Sequence, residues 1–242
     1  MGNSEGKSSL TSLAGAAVLA LGAASANASL VLESAEDFSG TGLGAVNTVL
    51  TISSPGSSTF EAGSVAFGDV TSGDVKTGAS QTQTRSLGEL GITSPADLRV
   101  VFNALEPGNA AAQGITLGNL VIDIYSPTGT LLFSSGAFTP VTFADTMTGA
   151  GNSGFVFALD AAQQPAAAAA FGSADNIVAL SASAGCNDSS PTGCQGATGG
   201  FETFFVASAA ELVPSVPEPG AYAMLLAGVG MVAFMARRRR MR

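Results

Sequence analysis

The sequence predicts an all-β body, a single β-sandwich of jelly-roll-like or immunoglobulin-like type that carries one short helix. Short runs rich in Val, Ile, Thr and Phe alternate with clusters of Gly, Ser, Asn and Asp, which is typical of strands joined by turns. The turn clusters recur about every ten residues, a spacing that favours a sandwich. The sequence shows no convincing repeat of about 20 to 50 residues, so a solenoid is disfavoured.

The apolar runs of this body are interpreted as strands. The clearest pair is the hairpin LVIDIY-SPTG-TLLFSS, in which Pro127 presets φ and Gly129 can adopt a positive φ. The apolar alternation of its first strand is imperfect, which suggests that this strand is buried on both faces. The predicted strands are Leu30–Glu33, Val46–Ser53, Ser64–Phe67, Leu98–Ala104, Ile115–Tyr125, Thr130–Ser134, Val141–Phe143, Gly154–Leu159, Ile177–Ser183 and Phe201–Ala207.

One short helix is predicted between the strands, from Pro165 to Phe171. Pro165 suits the first helical position, alanines follow it, and Gly172 stands where a helix would end. If the helix began at Asp160, Pro165 would lie inside it and clash with the preceding turn. The alanine face is narrow enough to pack flat against a sheet.

The charge distribution argues against a polyanionic partner. The chain has a net charge of −9, and residues 29–216 hold 16 acidic side chains against Lys76, Arg85 and Arg99, a net charge of −13 for that stretch. DNA and RNA gain nothing from such a surface, so no nucleic-acid partner is expected. The chain also has no histidine, which removes Ser-His-Asp and Cys-His catalysis.

Carboxylates are the abundant reactive groups that remain, and they do not predict an enzyme. A glycosidase needs two carboxylates in a cleft and usually aromatic platforms, whereas the body has no tryptophan and Tyr125 as its only tyrosine. Lys76, the base that Ser-Lys catalysis would need, stands in a Gly/Ser/Asp loop where water would solvate it. We therefore expect a protein without catalytic activity.

We expect no metal or cofactor, and calcium binding is the alternative, because the loops offer oxygen ligands. Asp69 and Asp74 are close in sequence, and Asp175–Asn176 and Asn187–Asp188 fall in polar loops. No D-x-D-x-D-G pattern occurs, and an exported acidic surface needs carboxylates for solubility. No residue is therefore assigned as a metal ligand.

The two cysteines, Cys186 and Cys194, predict a disulfide. They enclose the polar turn sequence NDSSPTG, and a close pair in an exported protein is most simply bridged. The seven residues between them and the lack of histidine argue against a redox motif or a metal site.

The N-terminus predicts a signal peptide, residues 1–28, whose helix starts export. Lys7 precedes the apolar run Leu13–Ala24, which is too short to span a bilayer comfortably. Small residues then provide two cleavage sites, after Ala26 or after Ala28, and we favour cleavage after Ala28. A buried Ala-rich helix is the alternative interpretation of this segment.

The C-terminus, residues 213–242, has three parts in a fixed order. Val216, Pro217, Glu218 and Pro219 form an extended segment, because proline restricts its own φ and the residue before it. The uncharged stretch 221–236 predicts a transmembrane helix of about 24 Å, short of a bilayer core of about 30 Å. A basic cluster then keeps the end in the cytoplasm. Its members are Arg237, Arg238, Arg239, Arg240 and Arg242.

This tail resembles the PEP-CTERM sorting signal of Gram-negative bacteria. The resemblance covers residues 216–242, and it is specific because the Pro-Glu-Pro motif, the apolar span and the arginines occur in that order. It implies processing by an exosortase, a membrane-embedded enzyme, in a cell with exopolysaccharide and biofilm genes. Some ice-binding proteins carry the same kind of tail, but Thr82 and Thr84 alone do not make the flat threonine face that ice binding requires.

These features together predict a non-catalytic surface or extracellular-matrix protein associated with biofilm. Residues 29–212 are the cargo, and the C-terminal helix holds an inner-membrane intermediate until exosortase processes it for the cell surface or matrix. The alternative is a carbohydrate-binding or calcium-dependent matrix-binding module, for which exopolysaccharide is the candidate partner.

Overall fold

The structure, a computed structural model, describes residues 29–37, 47–53, 58–78, 80–104, 114–143, 153–162, 164–197 and 200–212, together with 228, 229, 231 and 237. β-Strands are the main regular elements of the described part of the chain, and one short helix accompanies them. In chain order the strands are β1 Leu30–Asp37, β2 Asn47–Ile52, β3 Phe60–Ala66, β4 Val70–Gly73, β5 Arg85–Ser86, β6 Leu98–Asn103, β7 Ile115–Tyr125, β8 Leu131–Ser134, β9 Val141–Phe143, β10 Ser153–Leu159, β11 Ile177–Gly185 and β12 Glu202–Ser208.

Two antiparallel sheets share one core. Sheet A has the strand order β1-β10-β6-β12-β2, and sheet B has the order β4-β3-β11-β7-β8, with β5 beside β11 and β9 beside β7. One buried cluster draws side chains from both sheets, among them Phe102 and Phe204 of sheet A and Leu120 and Ile122 of sheet B. The predicted all-β body with one short helix is confirmed.

The strands pair as a nested ribbon. β2 pairs with β12, β3 with β11, β6 with β10 and β7 with β8, so that each pair encloses the next along the chain. Successive pairs fall alternately in sheet A and sheet B. This nesting is typical of a jelly roll, whereas in an immunoglobulin domain the first two strands pair with each other. β1 and β4 lie at the edges of the two sheets.

Every predicted strand is present, although some ends differ by up to four residues. In the predicted hairpin Gly129 has a φ of +85°, and the Ser126 N–H donates to the Thr130 carbonyl oxygen at 2.8 Å. Burial of β7 on both faces occurs only over its first three residues; beyond them buried and half-buried side chains alternate. Strands β4 and β5 were not predicted, because β4 is exposed at every position and β5 has only two residues.

The predicted helix is present at the expected position, but only its first half is an α-helix. An α-helix, α1, covers Gln164–Ala167, and a 3-10 helix continues it over Ala168–Phe171. Ala170 and Phe171 are buried in the core. The Asn176 side-chain amide donates to the Ala170 carbonyl oxygen at 2.8 Å, which satisfies one of the carbonyl groups left over at the helix end.

Phenylalanine rings fill the centre of the sandwich. Phe102 stacks on Phe204 with ring centroids 5.0 Å apart, and Phe143 stacks on Phe155 at 3.7 Å. Offset stacking of this kind adds to the free energy gained by burying the rings. A chain without tryptophan thus obtains its large core side chains from phenylalanine.

Both predicted targeting segments fall mainly outside the described residues. This applies to residues 1–28 with Ala26 and Ala28, to the Pro-Glu-Pro motif, and to the basic cluster except Arg237, an exposed helical residue. Among the described residues no helix is long and apolar enough to cross a membrane. The predicted span 221–236 has three described positions, 228, 229 and 231.

Candidate functional site

Cys186 and Cys194 form the predicted disulfide, with their Cα atoms 5.9 Å apart. The loop that they close is fixed to the start of β3. The Thr59 carbonyl oxygen accepts hydrogen bonds from the Cys186 N–H at 2.7 Å and the Ala197 N–H at 3.0 Å. The described part of the chain has no free cysteine, so both sulfur atoms serve the fold as a disulfide.

The carboxylates of Asp69 and Asp74, two of the calcium candidates, are used by the fold. The Asp69 carboxylate accepts hydrogen bonds from the Thr84 N–H at 2.7 Å and from the Thr84 hydroxyl at 2.8 Å. Asp74 accepts one from the Ala62 N–H at 3.1 Å. The two aspartates flank β4 at opposite ends, so the strand separates them.

The other candidate ligands stay in their own loops. The side-chain oxygen of Asn187 accepts hydrogen bonds from the Ser189 N–H at 2.9 Å and the Ser190 hydroxyl at 3.2 Å. Asp175 and Asp188 are exposed. Across the described ranges no three Asp, Glu, Cys or His residues come together in a way that could hold a metal ion.

Three further residues from the sequence analysis have ordinary structural positions. Lys76 is exposed, as expected for a solvated loop. Thr82 is buried, and its hydroxyl oxygen accepts a hydrogen bond from the Thr51 N–H at 3.0 Å. The Thr84 hydroxyl binds Asp69. The two threonines therefore do not form an exposed threonine face.

Two glutamates lie inside the sandwich, which the sequence did not indicate. Glu61 of β3 is 1% exposed and Glu202 of β12 is 0% exposed. Each alternates in phase with apolar core residues of its strand, such as Val65 in β3 and Phe204 in β12. Glu202 also lies opposite the buried Ile52 of β2. Two of the acidic side chains assigned to the solvated surface are therefore part of the interior.

A shallow groove of about 320 Å³ lies on the outer face of sheet B. Its size falls within the range of about 300 to 1,000 Å³ that is usual for small-ligand sites. Strands β4, β3, β11 and β7 provide its walls and floor. The lining contains no charged side chain and consists of Ala62, Gly63, Ser64, Ser72, Gly73, Asn119, Ser181, Ala182 and Ser183.

The polar side chains of the groove stand in two rows across the strands. Ser64 lies opposite both Ser72 and Ser181, so three hydroxyls stand side by side on three neighbouring strands. Neighbouring strands are spaced about 4.8 Å apart. In the next row Ser183 lies opposite Asn119. None of these five side chains is hydrogen-bonded within the part of the chain that the structure describes. Their donors and acceptors are therefore available to a ligand.

An aromatic pair and a carboxylate lie farther along the same face. Asp123 and Tyr125 project on the side of Asn119, because the intervening residues Leu120, Ile122 and Ile124 are buried. The Tyr125 ring packs near the ring of Phe67, with centroids 6.1 Å apart. Burial, and to a smaller extent the Asp123 carboxylate, raises the pKa of the Tyr125 phenol above its usual 10.0. The phenol is therefore neutral at physiological pH and can both donate and accept a hydrogen bond.

The residues of the groove are hard to recognise in the sequence, although one signal for them exists. β11 contains the alternation Ser181-Ala182-Ser183-Ala184, with half-buried serines and buried alanines. Such a pattern predicts a strand with a small polar outer face. Finding the groove also requires the strand register, because its serines come from three separate strands.

The comparisons with known proteins concern the tail. Residues 215–240 match the family model of the PEP-CTERM protein-sorting motif. The chain carries a PEP-CTERM motif. The match includes Glu218 with its two flanking prolines, the apolar stretch and Arg237 to Arg240. The motif implies export across the membrane to the cell surface and processing by exosortase. No curated protein and no solved structure matches the chain.

Proposed function

We propose that this protein is a non-catalytic surface or extracellular-matrix component whose β-sandwich is the cargo of PEP-CTERM sorting. The observation that carries the proposal is the match of residues 215–240 to the PEP-CTERM motif. The last strand of the body, β12, ends at Ser208, before that motif begins. Processing near the motif therefore leaves the strands of the body intact.

Each part of the tail has a physical role in the proposal. Proline restricts its own φ and the residue before it, so we expect Pro217 and Pro219 to favour an extended Glu218, which suits an enzyme cleft that binds its substrate as a strand. The apolar stretch 221–236 retains the chain in the inner membrane. The arginines stop transfer, because guanidinium groups stay on the cytoplasmic side. Glu218 is thereby presented on the opposite side of the membrane, where exosortase acts.

The N-terminal end is compatible with removal of a signal peptide. Strand β1 begins at Leu30, and only Ser29 separates it from the favoured cleavage site after Ala28. Cleavage after Ala26 or Ala28 leaves the whole strand in place. The exported chain thus keeps β1 paired with β10 at the edge of sheet A.

The chemistry of the described surface favours binding over catalysis. The polar groups of the groove are hydroxyls and one amide, and a serine without an adjacent base is a weak nucleophile. The proposal includes no metal or cofactor. The oxygen groups considered for calcium are distributed over separate loops, and those of Asp69, Asp74 and Asn187 already accept hydrogen bonds.

Substitution of Glu218 tests the proposal directly. We expect Glu218→Ala, and separately a deletion of residues 237–242, to accumulate as unprocessed chain in the inner-membrane fraction. The first variant loses the carboxylate that the enzyme reads, and the second loses the charge that holds the tail in place. Immunoblots of fractionated cells measure both. Glu211→Ala, an exposed change upstream of the motif, is the control and should be processed normally. Normal surface delivery of both test variants would contradict the proposal.

A further inference from the structure

We infer that the outer face of sheet B binds an uncharged glycan chain, with the serine-lined groove at one end and Tyr125 at the other. The inference does not depend on the PEP-CTERM tail, since every residue that carries it lies in the sandwich. It assigns a molecular activity to the cargo, whereas sorting concerns only where the cargo goes.

The hydrogen-bonding character of the groove matches a sugar. Each serine hydroxyl and the Asn119 amide can both donate and accept, as sugar hydroxyls do. The five polar side chains have no hydrogen-bonding partner in the described part of the chain, so a ligand would replace water and not protein contacts. Ala62, a half-buried residue of β3, adds a small apolar patch to the lining, against which the C–H face of a sugar ring can lie.

The charge of the groove and of the body favours a neutral glycan. The groove lining has no charged side chain. Residues 29–216 carry a net charge of −13, which repels an anionic polysaccharide or nucleic acid. A peptide is disfavoured as well, because peptides that bind sheets add to a free edge. The groove instead lies among β4, β3, β11 and β7, where β3 and β11 are paired on both sides.

Tyr125 provides a second contact point on the same face of sheet B, away from the groove. Tyr125 lies six positions after Asn119 on β7, a distance of about 20 Å along the strand. A ring face such as that of Tyr125, supported by Phe67, offers apolar contact to a pyranose, and its phenol offers a hydrogen bond. The structure describes no hydrogen bond from this phenol to another described residue. A glycan of several rings could therefore contact the groove and Tyr125 together.

Affinity electrophoresis tests the inference with the full chain purified in mild detergent. Native gels contain dextran, mannan, galactan or hydroxyethyl cellulose as neutral polysaccharides, and alginate as the anionic one. We expect at least one neutral polysaccharide to retard the protein and alginate to leave its mobility unchanged. Mobility against polymer concentration gives the dissociation constant.

The variants separate hydroxyl contacts from ring contacts. The triple change Ser64→Ala, Ser181→Ala and Ser183→Ala should raise the dissociation constant about tenfold or more, because it removes three hydrogen bonds. Thr203→Val is the control, since Thr203 is a half-buried hydroxyl on the outer face of sheet A. Tyr125→Ala should weaken binding strongly, whereas Tyr125→Phe keeps the ring and should retain most of it.

The possible outcomes decide the question. The site is supported if a neutral polysaccharide retards the parent protein and does not retard the triple variant or Tyr125→Ala. Both variants must also unfold at the same temperature as the parent protein. No retardation by any neutral polysaccharide overturns it, and so does stronger retardation by alginate. A folded triple variant that binds like the parent protein also overturns it. If the triple variant unfolds at a lower temperature, Ser181→Ala alone and Tyr125→Ala carry the comparison.

Discussion

At the scale of single residues, the environment of a serine decides what it does. The Ser135 hydroxyl is fully buried and accepts a hydrogen bond from the Ile122 N–H at 3.0 Å. Ser86 accepts one from the Glu89 N–H at 3.1 Å and so closes a turn. Ser64 and Ser181 have no such partner among the described residues, although their residue type is the same. Hydroxyls that the fold does not use are the ones available for binding.

A second example at this scale is Arg99 of β6. Its guanidinium reaches across sheet A to Glu33 of β1, with a hydrogen bond of 3.1 Å and a second contact through Nε. Ala158 of β10 lies between the two strands at this point, and its small side chain leaves room for the ion pair. The Ala96 carbonyl oxygen accepts a further hydrogen bond from Arg99 at 2.6 Å. This network ties the edge strand β1 to the centre of the sheet.

Gly185 provides a residue-scale prediction. It ends β11 with a φ of +81°, and a Cβ at this position would lie 2.1 Å from the Thr59 carbonyl oxygen. We expect Gly185→Ala to lower the free energy of unfolding by about 3 kcal/mol, because it adds a clash to an unfavourable φ. Urea unfolding followed by circular dichroism measures the loss.

The matched control for this change is Gly193→Ala. Gly193 has a φ of +85°, but no atom lies within 4 Å of the position of its missing Cβ. The control should lose only the backbone contribution, about 1 kcal/mol. Equal losses for the two variants would show that the contact with Thr59 has no effect on stability.

At the scale of elements, the sequence predicts strands well where one face is buried. β7 and β9 have the bounds that the apolar pattern predicts, because their buried residues, except Thr116, are large and aliphatic or aromatic. The sequence does not predict β4, because all four of its residues are exposed and burial therefore imposes no alternation of apolar and polar residues on it. Its position follows from pairing with β3, which the local sequence does not encode.

The candidate site was less predictable than the fold for a related reason. Ser64, Ser72 and Ser181 come from three strands and become neighbours only through the register of sheet B. Glu61 and Glu202 show the same limit, since each looks like a surface glutamate until its strand is placed in the sandwich. The PEP-CTERM motif could be identified from the sequence alone because its parts are contiguous.

The disulfide loop gives a prediction at the element scale. Cys186→Ser with Cys194→Ser should lower the free energy of unfolding by about 2–3 kcal/mol, since closing a loop of this length restricts the unfolded chain by that amount. The loss should be no larger, because the loop keeps other attachments. The Gln195 N–H donates to the Thr116 hydroxyl at 2.8 Å, and the Thr116 N–H donates to the Gln195 carbonyl oxygen at 3.0 Å.

Urea midpoints of the parent protein, with and without reductant, provide the comparison for the disulfide. Reduction should shift the parent midpoint toward that of the double serine variant and leave the variant unchanged. If the double variant has the same midpoint as the oxidised parent, the loop entropy of the unfolded chain does not contribute to stability here.

At the scale of the whole molecule, the body and the sorting signal are separate along the chain. The nested ribbon closes with β12, which lies between β6 and β2 in sheet A. After β12 the Ala209 N–H donates to the Asp97 carbonyl oxygen at 2.7 Å, and the Glu211 N–H donates to that of Ser208 at 3.0 Å. These contacts lie upstream of residue 215, where the match to the sorting motif begins. Sorting can therefore act on the tail without opening the sandwich.

This separation predicts that a fragment of residues 29–216 unfolds at the same temperature as residues 29–242 in the same detergent, within about 2 °C. The reason is that the fragment keeps every strand and the contacts that follow β12. Thermal unfolding monitored by circular dichroism measures both. A shorter fragment, residues 29–201, is the control and should not fold, because without β12 sheet A has no strand between β6 and β2. A markedly lower unfolding temperature for residues 29–216 would mean that the tail stabilises the sandwich, and processing would then release a weakened body.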